Sequence, residues 1–107
     1  MSDPGLFNRR LTLEAPVEMP DGAGGAVRSY ESIATLWASV VPVSAREAAE
    51  AAQRGVIVTH RISLRFFADI TSRHRLRDGT RIFRIISLRD RDGRKRFLQI
   101  EAEERST

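Results

Sequence analysis

The groups with chemistry to offer in this chain are two histidines, a glycine cluster and a long series of arginines. His60 stands in the middle of an apolar row, Val56, Val58, Ile62, Leu64 and Phe66. An imidazole there can serve as a ligand or an acid–base group. It can equally be a core or rim histidine whose ring nitrogens are satisfied locally, and no acid-rich partner set points to the first use. His74 lies between Arg73 and Arg75, a setting that disfavours a divalent cation. Gly22-Ala-Gly-Gly25 lacks the Gly-Lys-Ser/Thr ending of a phosphate loop and leads into no helix, so it reads as a mobile loop. Arg61-Ile-Ser-Leu-Arg65 has the Arg-x-x-x-Arg spacing of a nucleotide-binding motif of some six-stranded barrels. Its companion Asp-x-Ser-x-x-Gly is missing, and on a strand that spacing also just sets two arginines on one face. Gly-x-Ser-x-Gly and His-Glu-x-x-His patterns are missing too. Without cysteine there is no disulfide framework, thiolate nucleophile or cysteine-based zinc site. No convergent catalytic set can be assembled, so we expect no enzyme, no cofactor and no metal.

The elements that must position these groups are mostly strands. Leu11, Leu13 and Ala15 alternate with Arg10, Thr12 and Glu14, a strand over Arg9–Ala15 that Pro16 closes. A flexible loop is expected over 17–26, with Asp21-Gly22 as a turn. Val27–Tyr30 reads as a short returning strand. Ile33–Val43 reads as another, apolar on both faces near Trp37 and Val41, with one side toward the core and the other toward the next helix or a neighbouring subunit. Ser44-Ala-Arg-Glu47 fits a capping box and opens an alanine-rich helix over about 44–54, ended by Gly55. That helix has almost no bulky apolar side chains, so it needs a neighbour. Val56–Phe67 is the clearest strand. A polar, basic stretch follows over Asp69–Asp78. Arg81–Arg89 and Arg96–Ala102 are the last strands, joined through an Asp92-Gly93 hairpin turn. Five to six strands with one inserted helix predict a single, mainly β domain, a small antiparallel β-barrel, over residues 1–107.

Charge is unevenly spread. Residues 1–53 carry four arginines against seven acids, residues 54–98 carry thirteen basic groups against four acids, and residues 99–107 carry one arginine against three acids. The net +4 is therefore a basic middle between acidic flanks, a polarised subunit. Such a block can attract nucleic acid or simply line solvent-facing and subunit-facing strand surfaces. No stretch approaches the ~18 apolar residues of a membrane span. No secretory signal is visible, so a reducing cytoplasm is the expected place of synthesis.

Taken in order, several segments resemble a known family. They are Asn8-Arg-Arg-Leu-Thr-Leu13, Pro20-Asp-Gly-Ala-Gly-Gly25, Leu36-Trp-Ala-Ser-Val-Val-Pro42, Ser44-Ala-Arg-Glu47, Thr59-His-Arg-Ile-Ser-Leu-Arg65, Asp78-Gly-Thr-Arg-Ile-Phe-Arg-Ile-Ile86 and Arg96-Phe-Leu-Gln-Ile-Glu101. Over roughly residues 6–103 the chain resembles the head–tail joining proteins of long-tailed phages, also called head completion or stopper proteins. The resemblance implies a small β-barrel with an inserted helix or loop. It implies a homo-oligomeric ring of six or twelve copies at the head–tail junction of a virion or a gene transfer agent particle. The ring would close the DNA-filled head and dock the tail. Its partners would be a portal-bound adaptor, a tail terminator or tail-tube protein, and double-stranded DNA in the channel, with no membrane. Candidate interface residues are Asp21, Gly22, Gly24 and Gly25 in the loop, Arg46, Glu47 and Glu50 on the helix, and Arg61, Arg65, Arg73 and Arg77 in the basic block. The resemblance places Ser44–Gly55 toward the channel and Met19–Gly25 against the adaptor or tail. Two other readings stay open: a nucleic-acid-binding barrel using residues 54–98, and a signalling barrel binding a nucleotide through Arg61 and Arg65.

Overall fold

Alternation of apolar and polar side chains sets six strands edge to edge and closes them on themselves. The structure is a computed structural model, and it describes residues 7–67 and 69–106. The strands are β1 (Arg9–Pro20), β2 (Ala26–Pro42), β3 (His60–Arg65), β4 (Arg75–Asp78), β5 (Arg81–Asp90) and β6 (Phe97–Ser106), with helix α1 (Ala45–Gln53) between β2 and β3. They form a closed barrel in the order β1-β2-β3-β6-β5-β4, every pairing antiparallel. Each strand sends residues inward at every second position. Leu11 and Leu13, Ala38, Ile62 and Leu64, Leu76, Phe83 and Ile85, and Leu98, Ile100 and Ala102 make one core. Phe83 is its largest fully buried side chain.

Two bulges bend the wall. Leu13 pairs with Ala34 but Glu14 with Ser32, which leaves Ile33 over. Ile85 pairs with Ala102 but Ser87 with Glu101, which leaves Ile86 over. An extra residue adds local twist, which a small barrel needs to close.

Several boundaries differ from the sequence expectation. Pro16 does not close β1, which runs on to Pro20. Among the described residues that strand has no neighbour on its outer side beyond Glu14, so a missing N–H there leaves no bond unmade. The two short strands expected over 27–43 are one strand, β2, whose alternation is broken by the bulge at Ile33. The connection is confined to Asp21–Gly25 instead of spanning 17–26. β3 starts at His60, not Val56: residues 54–59 turn back from the helix, burying Val58 and leaving Ile57 64% exposed. β4 lies inside the stretch read as polar, because Arg-Leu-Arg-Asp carries a single core residue, Leu76.

The free halves of β1 and β2 form an arm. β1 meets β4 only over Thr12–Glu14, and β2 meets β3 only over Ala38–Pro42. From Ala15 and Glu31 outward the two strands pair with each other alone, down to Pro20 and Ala26. Six residues of strand span about 20 Å. That accounts for a molecule 50 Å long but only 31 and 27 Å across.

Candidate functional site

The arm ends in a hydrogen-bonded turn. Asp21 Oδ1 accepts from the backbone N–H of Ala23 at 2.7 Å and of Gly25 at 3.1 Å. These two donors hold the Asp21 carboxyl below the usual carboxylate range. Gly22 and Gly24 take φ of 82° and 86°, which a side chain resists. Gly25 has a different constraint: a Cβ there would sit 2.8 Å from Asp21 Oδ2. At the base of the arm, the Arg75 guanidinium lies 3.6 Å over the Tyr30 ring. Arg75 Nε donates to Glu14 Oε1 at 2.6 Å, and Arg77 Nε to Glu14 Oε2 at 3.1 Å. Glu14 is buried on the outer wall, clamped between two arginines of β4 and next to the arm.

Helix α1 stands off the outside of β3, β6 and β5 across a cleft of about 420 Å³. Ser44 Oγ accepts from Glu47 N, and the Glu47 carboxylate accepts from Ser44 N, the expected capping box. Glu47 Oε2 reaches on to Arg61 at 2.8 Å. Arg54 donates to Glu101 at 3.0 Å, and Ser87 Oγ donates to the same carboxylate at 2.8 Å. Arg54 first and Ser87 second hold the Glu101 carboxyl down. The cleft sets Glu47, Glu50 and Glu101 against Arg54, Arg61 and Arg89, so its charges cancel. Arg46 pairs with Glu50 one turn along the exposed helix face, at 3.3 Å.

A second cleft, about 410 Å³, opens between the arm's base and β4–β5. Arg28, Arg73, Arg75, Arg84 and Arg105 line it around Tyr30; among the described residues no carboxylate lines it, though Glu18, Glu14 and Glu103 pair with Arg28, Arg75 and Arg84 from outside. Arg73, from the sequence candidates, is exposed there, whereas Arg77 is tied to Glu14. Arg65 is exposed at the end of β3, on a smaller apolar groove of about 320 Å³ with Phe7, Thr35, Leu36 and Trp37. The interface candidates are therefore not one site. Arg61 is joined to Glu47, whereas Arg65 and Arg73 lie on different grooves and Asp21–Gly25 at the far tip.

His60 closes one end of the core. Its ring meets Phe83 edge-on at 5.3 Å. Nδ1 lies 2.9 Å from Thr59 Oγ1, and Nε2 lies 3.4 Å from an Arg81 nitrogen. A neutral ring with its proton on Nδ1 satisfies both contacts, donating to Thr59 and accepting from Arg81; this tautomer is assigned from the network. Burial pushes the His60 pKa down, against the pull of Glu104 at 3.7 Å and with the help of Arg81. Arg81 and Glu104 are already a two-pronged pair, both contacts at 3.0 Å, which holds the Glu104 carboxyl down. This is a satisfied rim histidine. Among the described residues, no three His, Asp or Glu groups gather as a metal site would need.

The outer face of β2 carries what the sequence left open. The helix does not cover it. Trp37 is 57% exposed, with Ile33 and Val41 beside it above 40%, and the Arg10 guanidinium sits 5.6 Å over the Trp37 ring. Large apolar side chains in solvent on one strand face mark a surface made to be covered.

Comparison with known proteins accords with a surface built for assembly. The family of phage head completion proteins matches residues 2–105. A chain of the virion of a native gene transfer agent particle is 30% identical, covering 94% of this chain and 96% of that one, with a TM-score of 0.67. Protein SF1141 from Shigella flexneri 2a, known from its solution structure, is also 30% identical over 96% of both chains, with a TM-score of 0.76. No curated protein matches. With the family matched over nearly its whole length on a six-stranded barrel, the chain belongs to the phage head completion proteins.

Proposed function

We propose that this protein forms a ring at the head–tail junction of a virion or gene transfer agent particle, closing the DNA-filled head and presenting a docking surface to the tail. The observation that carries the reading is the chain-long likeness, at 30% identity, to a chain of a gene transfer agent virion, within the head completion family. The molecule's construction suits it. A ring needs two different patches per subunit. Here an apolar face on β2 stands apart from an arginine-lined cleft across the barrel wall. The arm, tipped by Asp21–Gly25, is the element that reaches farthest and is our candidate contact with the adaptor or the tail. Helix α1 and its flanks, Ser44–Gly55, face the channel in this reading, with Arg46, Glu47 and Glu50 on that surface. Arg61, Arg65, Arg73 and Arg77 belong to contacts with other copies or with neighbouring proteins of the particle. Cryo-electron microscopy of whole particles tests the placement. A closed ring of these barrels between portal and tail is expected, and density for the barrel elsewhere in the particle would refute it.

A second reading, contact with nucleic acid through the basic block, is favoured by the arginine cleft beside the arm. Among the described residues, Tyr30 alone of the phenylalanine, tyrosine and tryptophan side chains lines that cleft, and the exposed Trp37 lies on a different groove. Phe83 is fully buried, Phe97 packs edge-on against Phe7 at 5.7 Å, and Tyr30 is covered by Arg75. Steeply salt-dependent binding to duplex DNA would support it.

A further inference from the structure

The two edges of the arm are built differently. Proline has no N–H, so Pro16 and Pro20 fit only where the β1 backbone turns its N–H away from β2. In an antiparallel ladder the residue opposite such a position also points its N–H and C=O outward. Those partners are Tyr30 and Ala26, with Arg28 between them by alternation. On the β1 edge the outward donors at residues 16 and 20 are deleted, which blunts that edge against further pairing. On the β2 edge the corresponding donors, at Ala26, Arg28 and Tyr30, are all present. Among the described residues no strand pairs with this side of β2 from Ala26 to Trp37. Where β3 ends at Arg65, the open edge runs into the groove of Phe7, Thr35, Leu36 and Trp37.

We infer that the open edge of β2, from Ala26 to Trp37, receives an extended segment of another protein of the particle as an added strand, one that alternates apolar and acidic residues. The backbone groups of Ala26, Arg28 and Tyr30 supply the ladder. The groove beside Trp37 takes apolar side chains, and Arg10 and Arg65 at its rim match carboxylates. A second copy of this chain is the poorer occupant. Its β1 edge is blunted by proline, and pairing of β2 with β2 is a two-fold contact that stops at a dimer. The inference rests on the reading of the arm as a docking element and adds the mode of docking.

Nuclear magnetic resonance of the full chain tests it, with a synthetic peptide alternating valine and glutamate as probe. Amide shifts are expected at Ala26, Arg28 and Tyr30 and over Thr35–Trp37. They should vanish when the peptide is N-methylated along one edge. They should also vanish in Arg28→Pro, which removes one outward N–H, and persist in Arg28→Thr, which loses the same side chain but keeps the donor. Equal shifts from the N-methylated peptide, no shifts on β2 at saturating probe, or undiminished binding to Arg28→Pro would overturn the inference. So would protection of these amides that disappears on dilution, the mark of β2 pairing with β2. If Arg28→Pro does not fold, the N-methylated peptide alone decides. In particles, tail joining lost on replacing Asp21–Gly25 but kept in Arg28→Pro would uphold the arm and reject the added strand. Joining kept in both would reject both.

Discussion

Glu14 and Arg75 join β1 to β4 on the barrel's outer wall, a carboxylate buried on β1 accepting from a β4 guanidinium at 2.6 Å. Arg77 completes the clamp, and Arg75 also covers Tyr30 at the root of the arm. The same carboxylate thus helps close the barrel between β1 and β4 and fixes where the arm leaves it. Glu14→Ala strands two guanidiniums side by side. Because both are partly solvated, the loss should be about 2–3 kcal/mol in urea unfolding, below the full cost of a deeply buried unpaired charge. Arg77→Ala, which leaves Glu14 one partner, should cost about 1 kcal/mol.

Stability should fall with acid in two stages. The His60 pKa is lowered in the folded protein from 6.5, so below that pH the unfolded chain takes up the proton first and stability drops. The Glu101 and Glu104 pKa values are also lowered, from 4.5, so their contribution is intact above that pH and disappears as pH falls through the folded values. Both effects have the same sign. His60→Gln should flatten the upper stage, which begins as pH falls through 6.5, and leave the lower one in place. An unchanged slope in that stage would remove His60 from the account.

Helix α1 is held across its cleft by few contacts, and the Arg54–Glu101–Ser87 group is one of them. Glu101→Gln replaces a charge-assisted bond with a neutral one. Amides of Ala45–Gln53 should exchange about tenfold faster while those of β3 and β5 keep their protection. Uniform loosening of the whole barrel would show that the helix is integral to it.

Charge reversal separates the interface candidates. Arg65 and Arg73 are exposed, so both charge reversals should leave the fold intact; Arg73→Glu should weaken ring assembly and Arg65→Glu the union with the neighbouring particle protein, each with a changed salt dependence, in sedimentation. Reversing Arg61 or Arg77 also places like charges against Glu47 or Glu14, so both should lower thermal stability as well. Unaltered assembly in both exposed variants would refute their interface role.

The arm tip should be separable from the barrel. Replacing Asp21–Gly25 with Asn-Gly keeps Pro20 opposite Ala26 across a two-residue turn. The variant should fold with unchanged core shifts and fail to join tails in a particle assay. Normal tailed particles would show that the tip is dispensable.

The sequence made plain those strands that keep one face buried and one wet, such as Ile62 and Leu64 in β3 and Leu98, Ile100 and Ala102 in β6. The capping box at Ser44 was equally readable, since it is a local signal. β4 was not, because one leucine among arginines has no period, and its place in the sheet depends on pairing with β1 more than sixty residues away. The arm hid behind Pro16 and Pro20, which look like strand breakers until the absence of a neighbour on that edge is known. The two-arginine clamp on Glu14 follows from barrel closure and left no trace in local spacing, whereas the second apolar face at Trp37 and Val41 was readable and only its being left uncovered by the helix was not. The family resemblance arose from ordered short segments, and these carry the wall of the barrel rather than any reactive group.

The most direct measurement of the central claim is electron microscopy and DNA-retention assay of particles made without this gene. The account predicts heads that fill with DNA, lack tails and leak their contents. Tailed particles that retain their DNA would contradict it.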